Sequence, residues 1–249
     1  MIIVKASGVS LAMDVSHSRP HRVYEIAPMK PFDVFLKNVR KVLDNCPFVS
    51  ASDSRLPAAD IRSGDARCLP VETNSVDLVI TSPPYLNAID YLRGHKLSLV
   101  WMGISVSDIR ALRSSNIGAE ASSRTEMSSL VSRVADSMTD LQELDTQRRG
   151  MVLRYVDDMR LAMEECSRVL KRPGSALFVV GDSAVRGAFV KNSHAIQELA
   201  EESGFILTKR YARPIERSKR YLPPPESALA GRELRGRMRE EVVLQFRSG

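Results

Sequence analysis

Paired cysteines, long apolar runs and internal repeats are all missing from this chain, and each absence removes a class of protein. The 249 residues contain three cysteines, Cys46, Cys68 and Cys166, far apart along the sequence. They offer neither a disulfide framework nor a CxxC metal knuckle. No apolar stretch approaches the roughly 18 residues that a membrane span requires. The N-terminal MIIVKASGVSLAM loses its apolar character at Lys5 and Ser7 and has no signal-peptide layout. His17 and His21 have the spacing of half a zinc site without a second half, so no metal is expected. With 43% hydrophobic and 27% charged residues, global disorder is excluded. A soluble protein of the cytoplasmic type is expected.

Charge is present but unevenly spread. The net charge is +6, and Phe205 to Gly249 holds 11 Lys/Arg against 5 Asp/Glu, which accounts for all of it. A basic C-terminal region, with Arg232 to Arg239 at its centre, suits a polyanion such as nucleic acid. It equally suits a solvated basic face, so charge alone decides nothing.

The spacing predicts elements unevenly. Phe32 to Leu43 carries apolar residues at helical intervals, bracketed by Pro28, Pro31 and Pro47. IRSGDARCLP, from Ile61, suggests a short strand ending in a Gly-Asp turn. VDLVI (76–80) is a β-branched apolar run of the kind buried on both faces of a parallel sheet. Tyr91 to Met102 reads as a helix. Residues 105–137 hold ten serines and read as an exposed, partly helical insertion. Met151 to Leu170 follows the 3.6-residue period, with Lys171 to Gly174 as its stop. SALFVVGDS (175–183), FILTKRY (205–211) and EVVLQF (241–246) read as strands, and His194 to Ser203 as a helix. This alternation predicts an α/β sheet, mostly parallel, with helices on both faces. The paired carboxylates Asp157/Asp158, Glu164/Glu165 and Glu201/Glu202 sit on predicted helices and read as solvated faces. Asn87 and Asp90 read as caps, and YLPPPE (221–226) as a rigid loop.

Thr81-Ser82-Pro83-Pro84-Tyr85 follows VDLVI at once. In open α/β sheets, ligands bind beyond the carboxyl ends of the strands. Ser82 offers a hydroxyl acceptor, Pro83 a carbonyl without a competing N–H, and Tyr85 a flat ring. The two prolines fix the backbone that presents these groups. Paired acceptors beside a stacking ring suit a planar group bearing NH2. Pulling on both amine hydrogens localises a lone pair otherwise spread into the ring, which favours attack by nitrogen.

GDARCLPVETNSVDLVITSPPYLNAIDY resembles the catalytic core of the amino-methylating DNA methyltransferases, whose signature is Asp, Asn or Ser, then Pro-Pro, then an aromatic residue. The resemblance covers roughly residues 61–103 and 151–249. It implies a Rossmann-like, S-adenosylmethionine-dependent methyltransferase sheet, present incompletely. It implies methyl transfer from S-adenosylmethionine to an exocyclic amine of DNA, and the serine-led motif favours cytosine N4 over adenine N6. Ser82 and the Pro83 carbonyl would hold the amine, Pro84 would stiffen the corner, and Tyr85 would stack on a flipped base. Asp65, with Ala66 and Thr81, would border the cofactor. The serine-rich insertion and the basic C-terminal loop would touch DNA in a restriction–modification setting.

The same resemblance exposes a gap. The family's Gly-rich loop, FxGxG or DPFxGSGT, has no counterpart here; Gly8 is isolated. The chain therefore divides into a poorly defined extension, 1–60, and a partial catalytic domain, 61–249, with an insertion at 104–150. A separate polypeptide carrying the cofactor-binding part is implied as a partner. The alternatives are an RNA or protein amino-methyltransferase, and a truncated remnant that only binds nucleic acid.

Overall fold

The computed structural model describes residues 9–11, 20–23, 30–45, 59–86, 91–118, 128–185, 188–216 and 240–249. His17, Cys46, Asn87, Asp90, YLPPPE and Arg232 to Arg239 lie outside these residues, and so does the basic C-terminal loop. The chain forms two compact units, Met1–Ser63 with Asp90–Arg110, and Gly64–Ile89 with Ala111–Gly249.

The first unit contains β1 (Val9–Leu11) and β2 (Pro20–Val23), an antiparallel pair, with helices α1 (Pro31–Asp44) and α2 (Tyr91–Trp101). Pro31 starts α1, where a missing N–H costs nothing. Asp33 in its first turn and Lys41 in its last suit the helix dipole. Its apolar stripe is real but uncovered, for Phe32, Leu36 and Leu43 are all exposed.

The second unit is built on a four-stranded mixed sheet, making the fold α/β. In chain order it contains β3 (Val76–Thr81), α4 (Ser129–Met138), α5 (Thr146–Val169), β4 (Leu170–Val180), β5 (Ser183–Val185), β6 (Ala188–Val190), α6 (Asn192–Glu202), β7 (Phe205–Pro214) and β8 (Glu240–Ser248). Helix α3 (Val106–Ser115) runs across the boundary between the units. The sheet order is β3-β4-β8-β7. Strands β3 and β4 are parallel, while β8 runs antiparallel to both of its neighbours.

One face of this sheet carries the core. Ala176, Phe178 and Val180 on β4 alternate inward beside Phe246, Leu244 and Val242 on β8. Phe178, Phe205 and Phe246 meet edge-on or tilted, with ring centroids 5.8–6.2 Å apart. Val152, Tyr155, Val156, Met159 and Met163 of α5 join the same core, as do Ile196 and Leu199 of α6.

Several expectations change. The sheet is not mostly parallel, since β8 pairs antiparallel with both β4 and β7 and only β3 with β4 is parallel. VDLVI is not buried on both faces: Leu78 is 51% and Ile80 67% exposed. Both side chains alternate with Val79, which packs against the core, and so lie on the opposite face of the sheet. IRSGDARCLP forms no strand; Asp65 to Cys68 is a tight turn, closed by the Cys68 N–H on the Asp65 carbonyl at 3.0 Å. Lys171 to Gly174 do not end α5 in a turn but begin β4. The serine-rich stretch divides. Helix α4 buries Val131, Val134, Ala135 and Met138, because its serines occupy only the far side of an apolar stripe.

The start of β3 is pinned by the end of α5. Asn74 and Ser75 donate backbone N–H groups to the Arg168 and Val169 carbonyls, which a helix terminus leaves unsatisfied. Arg168 also bonds the Leu69 and Val71 carbonyls, and Glu165 accepts from the Leu69 N–H at 2.7 Å.

Phe178→Ala is expected to cost about 3–5 kcal/mol in urea unfolding, since it empties the centre of the aromatic cluster. Ile80→Ser should cost less than about 1 kcal/mol at its open site. A cost for Ile80→Ser near that of Phe178→Ala would mean that this face is covered in solution.

Candidate active site

The prolines after β3 create a local deficit. The last ladder pair is Thr81 with Phe178, and Pro83 and Pro84 bring no backbone donor. The carbonyl of Val179, the next residue of β4, receives side-chain donors instead. Ser82 Oγ lies 2.9 Å from it and Tyr85 Oη 3.2 Å. The two hydroxyls are themselves 2.9 Å apart. Ser82 and Tyr85, chosen from the sequence for chemistry, are thus brought together. Ser82 and Pro84 are exposed, Tyr85 half-buried and Pro83 buried.

The peptide groups beyond the prolines are also held. Tyr155 Oη donates to the Pro84 carbonyl at 2.9 Å. The Leu86 N–H donates to Asn192 Oδ1 at 3.2 Å, and Ser183 Oγ donates to the Leu86 carbonyl at 2.7 Å. Asn192 Nδ2 reaches the Gly181 carbonyl and Ser183 Oγ. Asp182 accepts from the Ser193 N–H at the start of α6. Burial drives the Tyr155 phenol well above its ordinary pKa, so it stays protonated as a donor. None of these partners stands out in the sequence by motif. Asn192 sits beside a helix start, a place where asparagine is ordinary.

The turn at Asp65 is tied to the same helix. Arg67 contributes its backbone N–H, Nε and Nη2 to the Asp65 carboxylate, with Nε reaching both oxygens. That uses the roughly four acceptor sites a carboxylate has. Arg67 also bonds Asp158 at 2.7 Å and the Ser115 carbonyl at 2.7 Å. Asp158 accepts in addition from the Gly118 N–H. Gly118 has φ +72° and its missing Cβ would lie 3.3 Å from the Tyr155 ring, so a side chain there is doubly disfavoured. Asp157 and Asp158 are buried and ion-paired, to Arg160 and Arg67 respectively, rather than solvated. Tyr155 and Asp158 are three residues apart on α5, so one helix face holds both the corner and the turn, about 4.5 Å apart along its axis. Ala66 is exposed within the turn, and Thr81 half-buried at the end of β3.

No family profile matches the chain. M.AvaI, a type II methyltransferase from Nostoc sp., is 30% identical over 207 residues, covering 72% of this chain and 42% of its own length. M.BsoBI from Geobacillus stearothermophilus is 22% identical over 225 residues, covering 70% of this chain and 44% of its own. The chain is a homologue of the type II DNA methyltransferases. It spans less than half the length of these relatives. Two solved structures also align. A DNA modification methylase from Thermus thermophilus, complexed with S-adenosyl-L-methionine, covers 74% of this chain and 51% of its own at 19% identity and TM-score 0.36. The cytosine-N4-specific PvuII methyltransferase covers 74% and 47% at 18% identity and TM-score 0.38.

S-adenosylmethionine is the cofactor this homology implies, and the described residues do not by themselves complete a seat for it. The sequence has no Gly-rich turn, and Arg67 already occupies the acceptors of Asp65. Arg67 also sets the acid behaviour of the turn. Its side-chain bonds, then its backbone N–H, hold the Asp65 carboxyl below the ordinary carboxylate range. Glu165 is likewise lowered, first by Arg168, with the Leu69 N–H assisting. Among the thiols, burial pushes Cys166 up to about 11, which keeps it protonated and inert.

Lowered carboxyl values carry a definite sign. The stability that Asp65 and Glu165 add is present above the unfolded carboxylate pKa of about 4 and is lost as pH falls through their lower folded values. Carboxyl-carbon NMR of the folded chain should show Asp65 titrating below the usual range, and Arg67→Met should return it there. An unmoved Asp65 in that variant would dismiss Arg67 as its partner.

Proposed function

We propose that this chain is the target-base part of a DNA amino-methyltransferase that uses S-adenosylmethionine and acts at cytosine N4 in preference to adenine N6. The observation that carries the reading is the corner after β3, where Ser82, Tyr85 and the Val179 carbonyl share hydrogen bonds. Homology to M.AvaI and M.BsoBI supplies the reaction class, and the leading serine favours cytosine.

The chain's own part is to bind and orient. Ser82 Oγ and the Pro83 carbonyl accept the two hydrogens of the target amine, and Tyr85 offers its ring to the base. An amine hydrogen bonded on both sides loses conjugation with its ring and gains nucleophilic character. Asp65 and Ala66 border the cofactor's side of the site, and Thr81 closes β3 beside it. The nitrogen passes one proton to solvent water once it carries the new methyl group. The bound cofactor supplies that methyl group.

In this reading the remainder of the site, with the Gly-rich loop, is supplied from outside these 249 residues. Two features support this. The relatives are more than twice as long as the stretch they share with the chain. Strand β3 stands at the sheet edge with Leu78 and Ile80 exposed, and its lone charge, Asp77, is paired with Lys171 at 2.9 Å. An open strand edge beside exposed apolar side chains is one that proteins otherwise cover.

Tritium transfer from labelled S-adenosylmethionine to DNA tests the reading, with the chain mixed with a polypeptide that carries the Gly-rich loop. The chain alone should show neither transfer nor heat on cofactor titration. In the mixture Ser82→Ala should lower the rate about 10²–10³-fold, as loss of one preorganised hydrogen-bonding group does. Wild-type activity in a Ser82→Ala, Tyr85→Ala double variant would refute the assigned roles.

A further inference from the structure

Tyr85 is the one ring in the corner, and its usefulness as a stacking platform depends on where its backbone is held. The two peptide groups flanking it are each held by buried side chains from elsewhere in the fold. On the N-terminal side, the Pro84 carbonyl accepts from Tyr155 Oη at 2.9 Å. On the C-terminal side, the Leu86 N–H donates to Asn192 Oδ1 at 3.2 Å. Tyr155 is 1% exposed and Asn192 is fully buried.

Neither contact is a by-product of packing. The Tyr155 ring fills the core, and its hydroxyl is spent on the Pro84 carbonyl. Phenylalanine would fill the same space without a donor. For Asn192 the amide orientation follows from its surroundings. The Leu86 N–H requires an acceptor, while the Gly181 carbonyl at 3.0 Å requires a donor. Exchanging the amide oxygen and nitrogen would spoil both. Its Nδ2 also meets Ser183 Oγ at 2.9 Å, and Ser183 returns to the Leu86 carbonyl. Asn192 thereby joins the segment after β4 to the segment after β3.

We infer that Tyr155 and Asn192 are positioning residues, which fix the backbone on both sides of Tyr85 and so hold its ring in place to stack on the target base. This rests on the corner being a base seat, as proposed above, and adds the residues that set its geometry. The carbonyl of Pro84 is taken by Tyr155, while among the described residues none bonds the Pro83 carbonyl. The clamp therefore engages the neighbour of the amine acceptor and leaves that acceptor to the base.

The test uses the full chain and a single-stranded oligodeoxynucleotide carrying one 2-aminopurine, whose fluorescence is quenched when it stacks. Anisotropy reports total binding, governed largely by phosphate contacts; quenching reports the stacked base. Wild type should quench and Tyr85→Ala should not. Tyr155→Phe should bind within about twofold of wild type by anisotropy yet lose half or more of the quenching amplitude, since stacking is a separate contribution from backbone charge. Full quenching in Tyr155→Phe would overturn the proposal.

A second measurement needs no nucleic acid. Asn192→Leu removes the acceptor of the Leu86 N–H at nearly the same size, and should speed hydrogen exchange at the Leu86 amide about tenfold or more by releasing that segment. Unchanged exchange would overturn the clamp itself. A wild-type chain that fails to quench, with Leu86 exchange still accelerated by Asn192→Leu, would overturn the base-seat reading and the positioning role, leaving a clamp of purely structural meaning.

Discussion

The carbonyl of Val179 is where the structure and the chemistry of this protein meet. It lies one residue past the last β3–β4 ladder pair, at the point where two prolines have withdrawn their N–H groups. A strand-end carbonyl without a donor is unfavourable if it is sheltered from water. Ser82 and Tyr85 supply the missing donors from their side chains. In doing so they place a hydroxyl and an aromatic ring side by side at the carboxyl end of a parallel strand. The same residues therefore answer a local backbone need and, in the proposed reading, would furnish the acceptor and the platform for a target base.

Helix α5 carries this corner. Its apolar face enters the core through Val152, Val156, Met159 and Met163, and its end receives the loop that starts β3. Between these, Tyr155 reaches the Pro84 carbonyl and Asp158 reaches Arg67, which grips Asp65. A displacement of α5 would move both halves of the site together. Burying Asp158 is tolerable because Arg67 and the Gly118 N–H satisfy it. The turn and the corner, 16 residues apart between Asp65 and Thr81, are related through this one helix rather than through each other.

Much of the second unit was legible from periodicity. The strand after Asn74, the long helix ending near Leu170 and the last two strands follow from apolar spacing alone, with boundaries shifted by a few residues. Legibility failed where neighbours, not propensity, decide. VDLVI has the composition of a doubly buried strand, but burial depends on what packs on each face of the sheet. Serines hid the apolar stripe of α4, because composition averages over the faces of a helix whereas packing does not. Asp157 and Asp158 read as solvated because a carboxylate pair on a helix usually is; Arg67 is 91 residues from Asp158 and gave no signal, whereas Arg160, three residues after Asp157 on one helix, was a readable partner.

The residues of the corner after β3 could be picked out in the primary structure. Ser82-Pro83-Pro84-Tyr85 after a β-branched run prescribes a rigid, donor-poor corner, since proline ring closure acts on the backbone wherever it occurs. Which groups orient that corner was decided only by folding. Tyr155 and Asn192 are 71 and 106 residues from their partners, Pro84 and Leu86. A hydrogen bond depends on distance in space, and only the packing of α5 and α6 against the sheet brings those side chains within reach.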